Sequence, residues 1–359
     1  MTATTHPEFN GQTEGLDVAK AFAEAIHGKT VVVTGVNRGG IGFSTSEAIA
    51  SQSPAQLIIA GRNLSKIQEC IDALKAQFPE VHYRPLQINL SSQQSVRTAA
   101  SDLLSWPDLK AVDILVNSAG IMLLPERTIS EDGIEMHFAT NHIGHFLFTC
   151  LVMPKLIKAT EGSPKGATRI INVSSASPMV ASMRWSDLNF EKKTRDLPET
   201  EKPSYQMHTQ WGTEDIENKS YIPLEAYNQS KVANVLFGIA ANKRLYEKYG
   251  ILSLALHPGV IHTELGRNAS PETLAVVKEM IGQGVFSYKT LGAGASTSLV
   301  AALDPKLGVG KTGAGGENYG AYLVDCQISD KAHPLAVSSV EAEKLWELSE
   351  QLVKERFAW

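Results

Sequence analysis

From Thr30 onward the chain alternates between two hydrophobic periods, and that alternation leaves few folds open to it. Short β-branched runs, TVVVTG, LIIAG, HYRPLQINL, DILVNSAG, TRIINVSS and ILSLALHPG, are separated by segments of helical spacing. The first of these is STSEAIASQS, and others fall around Ile67 to Gln77, Ser95 to Leu104, Gly133 to Lys158 and Leu224 to Tyr249. Parallel strands need crossover helices, which then cover both faces of the sheet. The pattern predicts an α/β fold, a doubly wound parallel sheet in a single domain over residues 29–359, with an N-terminal extension at 1–28. Within that extension, Leu16 to Thr30 has the spacing of a short amphipathic helix packed on the domain.

Two segments interrupt the alternation. Residues 176–225 lack a clear period, are dense in charge, and carry Trp185, Phe190, Tyr205, Trp211 and Tyr221. An aperiodic stretch of this length inside a compact domain is uncommon unless it covers a site or is disordered, and its aromatic residues favour a packed, enlarged substrate loop. Residues 264–289 form a second candidate lid, in which Ser270 can cap a helix that has Pro271 at its first position.

Composition narrows the partners. A formal charge of -5 without a long basic run argues against a nucleic-acid surface. Cys70, Cys150 and Cys326 lie far apart with neither disulfide-framework nor metal-ligand spacing, which predicts buried thiols in a reducing compartment and no metal site. The N-terminal residues show neither signal-peptide architecture nor an evident membrane anchor, so the expected location is cytoplasmic.

TGVNRGGIG, residues 34–42, falls where the first strand gives way to a helix, the place where backbone amides receive a pyrophosphate. About 20 residues beyond Gly42, at the end of the second strand, stands Arg62 rather than an acidic residue. An arginine there accommodates the 2′-phosphate of NADP, and Arg38 and Lys66 can add charge. Farther along, YNQSKVANVLF places Tyr227 and Lys231 one helical turn apart on one face. Standing alone, such a pair is more often a half-buried tyrosine beside a solvated lysine.

Taken together, TGVNRGGIG, NSAG at 117–120, NHIGHF at 141–146, VSS at 173–175, YNQSK at 227–231 and HPGVIHTEL at 257–265 resemble, in order, the motifs of short-chain dehydrogenases/reductases. DGIEMHFATNHIGHFLFT and KTLGAGASTSLVAAL are similar to the retinol-dehydrogenase-like branch, which acts on lipophilic alcohols and carbonyls. The resemblance implies a Rossmann fold and a catalytic tetrad of Asn141, Ser175, Tyr227 and Lys231. It also implies cofactor contacts from Gly35, Asn37, Arg38, Gly40, Ile41 and Gly42 at the turn, from Arg62 and Asn89, and from Asn117 and Ala119. Tyr227, Lys231, Pro258, Gly259, Val260 and Thr263 would meet the nicotinamide end. Relatives of this kind form dimers or tetramers through the helices at Asn141 and Tyr227.

The chain departs from the family pattern in four places. Its glycine turn is one residue longer than T-G-x-x-x-G-x-G, so Gly39 or Gly40 must bulge; Asn89 and Ser118 replace an aspartate and an asparagine; and the stretch from Ser175 to Tyr227 is extended. The implied activity is NADP(H)-dependent interconversion of a carbonyl and an alcohol on a lipophilic small molecule, with Lys231 bringing the Tyr227 phenol down toward working range. A catalytically idle NADP-binding sensor or scaffold uses the same cofactor residues, whereas an epimerase or dehydratase on this fold brings a larger substrate domain than follows Gly259.

Overall fold

A computed structural model describes residues 3–309 and 316–359. Among them, one eight-stranded sheet runs in the order β3-β2-β1-β4-β5-β6-β7-β8. Its strands are β1 (Thr30–Thr34), β2 (Gln56–Gly61), β3 (His82–Gln87), β4 (Ile114–Asn117), β5 (Arg169–Val173), β6 (Leu252–His257), β7 (Tyr322–Val324) and β8 (Gln327–Ile328). All neighbouring pairs are parallel except β7 with β8. The six strand-like runs of the sequence become β1 to β6. β7 and β8 were not foreseen, because strands of three and two residues carry no measurable period.

The helices are α1 (Gly15–Ala21), α2 (Ile41–Ala50), α3 (Leu64–Gln77), α4 (Gln93–Ser105), α5 (Met136–Phe138), α6 (Gly144–Ala159), α7 (Tyr205–Gln210), α8 (Pro223–Tyr249), α9 (Pro271–Gly282), α10 (Leu291–Leu303) and α11 (Ser339–Val353). Successive strand residues point to opposite faces, so the sheet has two cores. Val31, Val33, Leu57, Ile59 and Val116 pack against α1, α2, α3 and α10. Val32, Ile58 and Leu115 pack against α4, α6, α8 and α11. The N-terminal segment is tied down as well: Thr5 donates from its amide to Asp304 Oδ2 at 2.6 Å, and α1 lies on α10 and α2.

The segment between β5 and α8 leaves the sheet through short 3-10 turns and α7. Within it Met183 joins the core on the α8 face of the sheet, Phe190 is buried, and the buried Arg184 pairs with Asp187 at 2.5 Å while its guanidinium covers the Phe190 ring. α9 begins as its sequence suggests, with the Ser270 hydroxyl accepting from the Thr273 amide at 3.2 Å. All three cysteines are free and buried.

Strand order reverses between β1 and β4, so loops from the carboxyl ends of adjacent strands diverge there and leave a crevice. The layers close tightly beneath it. A Cβ added at Gly144, the first residue of α6, would overlap the Leu90 carbonyl oxygen, although the backbone angle there (φ -61°) suits any residue. Gly144→Ala is therefore expected to lower unfolding free energy by about 2 kcal/mol through overpacking alone. An unchanged denaturation midpoint would show that α6 can move off the loop at Leu90 without cost.

Candidate active site

α8 carries Tyr227 and Lys231 in its second and third turns, and the helix is buried on nearly every side, covered by the sheet, α11 and the 176–225 segment. Both side chains are consequently out of water, at 6% and 3% exposure. Lys231 Nζ lies 5.8 Å from the Tyr227 ring centroid and donates to the Val173 carbonyl, the last of β5, at 2.8 Å. Ser175 follows two residues later, where the chain turns out of β5. Its hydroxyl accepts from the Ser177 amide at 2.9 Å, and its carbonyl accepts from the Tyr322 hydroxyl at 2.5 Å.

Asn141 sits in a single π-helical turn, Ala139–Ile143, between α5 and α6, the kind of bulge that re-aims a side chain at a functional position. Its amide is clamped to the loop after β4, accepting from Ile121 N at 2.9 Å and donating to Ile121 O at 3.0 Å, with a third bond to Ser230 Oγ at 2.9 Å. Asn141 Oδ1 and Lys231 Nζ face a common space at Gly120, where an added Cβ would lie 3.4 Å from each. The four residues Asn141, Ser175, Tyr227 and Lys231 thus meet at the carboxyl ends of β4 and β5.

Their electrostatics correct one expectation. Burial pushes the Tyr227 phenol up to about 12, with the facing Ser175 hydroxyl opposing the shift, and pushes Lys231 down to about 7. In the protein alone, Lys231 does not bring the phenol toward neutrality. The same desolvation that raises the phenol also loosens the proton of the lysine that was expected to lower it.

At the glycine turn, Gly39 is the residue that bulges: it takes φ +75° with open space beyond, while Gly40 is the N-cap of α2. Gly35 must be glycine twice over, since φ is +71° and a Cβ would overlap the Ala119 backbone. A Cβ at Gly42 would come 2.8 Å from the Gly35 carbonyl oxygen. Asn37 packs under Gly40, Ile41 opens α2, and Arg38 lies over the Phe43 ring.

Arg62 is exposed at the end of β2, and among the described residues neither Arg62 nor Arg38 is in an ion pair. Lys66 reaches Glu264 only at 3.9 Å. Asn89 Oδ1 accepts from the Ser91 amide and hydroxyl. The Asn117 NH2 group is buried and donates to Thr149 and Asn172, tying β4 to α6 and β5, while its Oδ1 has no hydrogen-bond partner among the described residues. Pro258, Gly259, Val260 and Thr263 follow β6. Gly259 has φ +95° and no room for a Cβ against Lys289, the Val260 carbonyl accepts from Lys289 N, and Thr263 caps the next turn through Leu265 N.

A buried network behind the tetrad holds these loops together. Since a carbonyl oxygen only accepts, the 3.0 Å contact of His145 Nδ1 with Asn141 O places the proton on Nδ1. Nε2 then accepts from the Thr34 hydroxyl at 2.8 Å, and Thr34 Oγ1 accepts from the Ser118 and Ala119 amides. Burial keeps this imidazole neutral, pushing it down to about 4. His142, equally buried and pushed down to about 3, meets Ser349 Oγ at 2.8 Å, and His257 at the end of β6 is also held low by burial. Sequence reading misses Tyr322, whose only signal is an aromatic residue in the short apolar run YLV.

Comparison with known proteins agrees with this architecture. The short chain dehydrogenase family profile matches residues 29–187. The oxidoreductase fscI of Fusarium equiseti is 39% identical over 251 residues, covering 70% of this chain and 94% of that protein. Human retinol dehydrogenase 12 is 31% identical over 326 residues, covering 91% and 86% respectively. Among solved structures, an uncharacterized protein from Mycobacterium paratuberculosis superposes with a TM-score of 0.59 at 26% identity, covering 93% of this chain and 96% of its own. The chain belongs to the short-chain dehydrogenase family of oxidoreductases, on its retinol-dehydrogenase-like branch.

Proposed function

We propose that the protein interconverts a carbonyl and an alcohol on a lipophilic small molecule with NADP(H), Tyr227 giving and taking the proton. The convergence of buried Tyr227 and Lys231 with Ser175 and Asn141 at the crevice floor supports this most directly. The dinucleotide fits the residues present. Gly35 and Gly42 leave only backbone where a pyrophosphate would approach, and the first turn of α2 has no side-chain cap competing for its amides. Gly40, Ile41, Asn37 and Arg38 would line that turn, and Arg62 with Arg38 would take the 2′-phosphate, for which two guanidiniums outside ion pairs are suited. Asn89 would meet the adenine, and Ala119, Pro258, Gly259, Val260 and Thr263 the nicotinamide end.

When bound, the dinucleotide supplies or accepts the hydride. In reduction, Tyr227 delivers its phenolic proton to the carbonyl oxygen, and Ser175 donates a hydrogen bond to the charge developing there. A phenol held up at about 12 is fully protonated at neutral pH, which suits the acid role. In the oxidative direction the phenolate must form, and a protonated Lys231 one turn away stabilises it. Asn141 and Lys231 face one space at Gly120, where a water could return the proton to solvent.

Two features favour a lipophilic substrate. Leu274, Val285 and Tyr288, on or beside α9, are 54%, 63% and 44% exposed, an apolar set with no core to join. A Cβ at Gly212, in the 176–225 segment, would lie 3.5 Å from Val276 of α9, so the two candidate lids adjoin. The name of retinol dehydrogenase 12 points to an apolar alcohol of the same class.

Tyr227→Phe is expected to lower NADPH oxidation with an aldehyde and ketone panel by roughly a thousandfold, the scale of a lost acid catalyst, while leaving NADPH binding intact. Undiminished turnover would remove Tyr227 from the reaction, and tight NADPH binding without turnover by the wild type would favour a sensor. Arg62→Asp is expected to shift the ratio of NADPH to NADH affinity toward NADH by about a hundredfold, as charge on the 2′-phosphate is lost and a ribose acceptor gained. An unchanged ratio would place 2′-phosphate recognition elsewhere.

A further inference from the structure

The segment that leaves the sheet after β5 is joined to Ser175 by an unbroken run of hydrogen bonds. His208 Nε2, on α7, lies 2.8 Å from Glu225 Oε2. The same carboxylate oxygen accepts from Asn228 Nδ2 at 3.3 Å. Asn228 Oδ1 accepts from the Ser177 hydroxyl at 2.7 Å, and Ser177 Oγ is 2.7 Å from Ser175 Oγ. His208 is fully buried, and Glu225, Asn228 and Ser177 are at most 6% exposed, so water does not compete along the run.

Donor and acceptor chemistry fixes the direction of each bond. As a carboxylate, Glu225 only accepts, which turns the NH2 group of Asn228 toward it and the amide oxygen toward Ser177. That oxygen also only accepts, so Ser177 must donate its single hydroxyl proton there. Ser177 Oγ is then left as an acceptor, and the contact between the two serines is donated by Ser175. The Ser177 amide donates back to Ser175 Oγ at 2.9 Å, so the catalytic hydroxyl is held from both sides.

We propose that His208 is a positioning residue: through Glu225, Asn228 and Ser177 it fixes the rotamer and proton direction of Ser175. This rests on the assignment of Ser175 as the hydrogen-bond donor to the substrate oxygen. The excursion from the sheet then does more than wall the substrate, because it supplies the N–H that holds Glu225 Oε2 against Asn228. A substrate oxygen entering the site takes the Ser175 proton over from Ser177, one acceptor exchanged for another, with the oxygen already in place. Without His208, the Glu225 carboxylate is free to turn away from Asn228, and the amide and the serine pair lose their set direction.

The test uses the full-length protein with NADPH and an aldehyde or ketone that the wild type reduces, alongside hydrogen exchange at the Ser177 amide. His208→Ala is expected to lower kcat roughly tenfold, the scale of one net hydrogen bond, with KM and NADPH affinity within about threefold of wild type. Ser177 amide exchange should accelerate by a similar factor. His208→Gln, which presents an N–H at comparable reach, should restore both. Wild-type kcat and exchange in His208→Ala would overturn the relay. So would a His208→Gln protein as impaired as the alanine variant, since that is the signature of lost packing. If the wild type reduces no carbonyl, the proposed activity falls, and Ser177 exchange still decides whether His208 governs the serine pair.

Discussion

The buried hydrogen bond from Lys231 Nζ to the last carbonyl of β5, a carbonyl that also accepts from Asn234 Nδ2, fixes the geometry of the proposed site. It pins the third turn of α8 to the carboxyl end of the sheet, and by doing so places Tyr227, one turn earlier, beside the loop that carries Ser175. An ammonium in that position is costly to bury, which is why its proton is held so loosely. The cost is offset by packing on every side of α8. In return, the site holds an acid and a cation in a dry environment, where a charge on either is felt strongly by the other.

Around this pair, polar groups are matched so that few alternatives remain. His145 has one permitted tautomer because its partners are a carbonyl and a threonine whose oxygen already receives two amides. Asn141 is fixed by a two-way clamp on Ile121, and Ser175 is held through its carbonyl by Tyr322 as well as through its hydroxyl. These bonds cross between β1, β4, β5, α6 and α8, with Asn117 Oδ1 left without a partner among the described residues. The apolar α9 region stays outside the core.

Much of this was legible in the sequence because the signals were local. Period-two runs marked β1 to β6, the glycine turn marked the first crossover, and the spacing of Tyr227 and Lys231 marked one helical face. β7 escaped because three residues are defined by pairing with β6 rather than by their own pattern. The sign of the Tyr227 shift escaped for a different reason: spacing gives neighbourhood, whereas the shift depends on burial by residues far away in the chain, His137 among them. That the Asn117 NH2 group ties β4 to β5 was not legible either, because it depends on which strand lies beside β4.

The most direct measurement is the pH dependence of alcohol oxidation by the wild type and by Lys231→Met and Lys231→Arg. Removing the cation is predicted to move the limb that reports phenolate formation upward by at least about one pH unit, whereas arginine, which keeps the charge, should leave it near its wild-type position. If Lys231→Met follows the wild-type profile in both position and rate, the lysine does not act on the phenol and the account of the site is wrong.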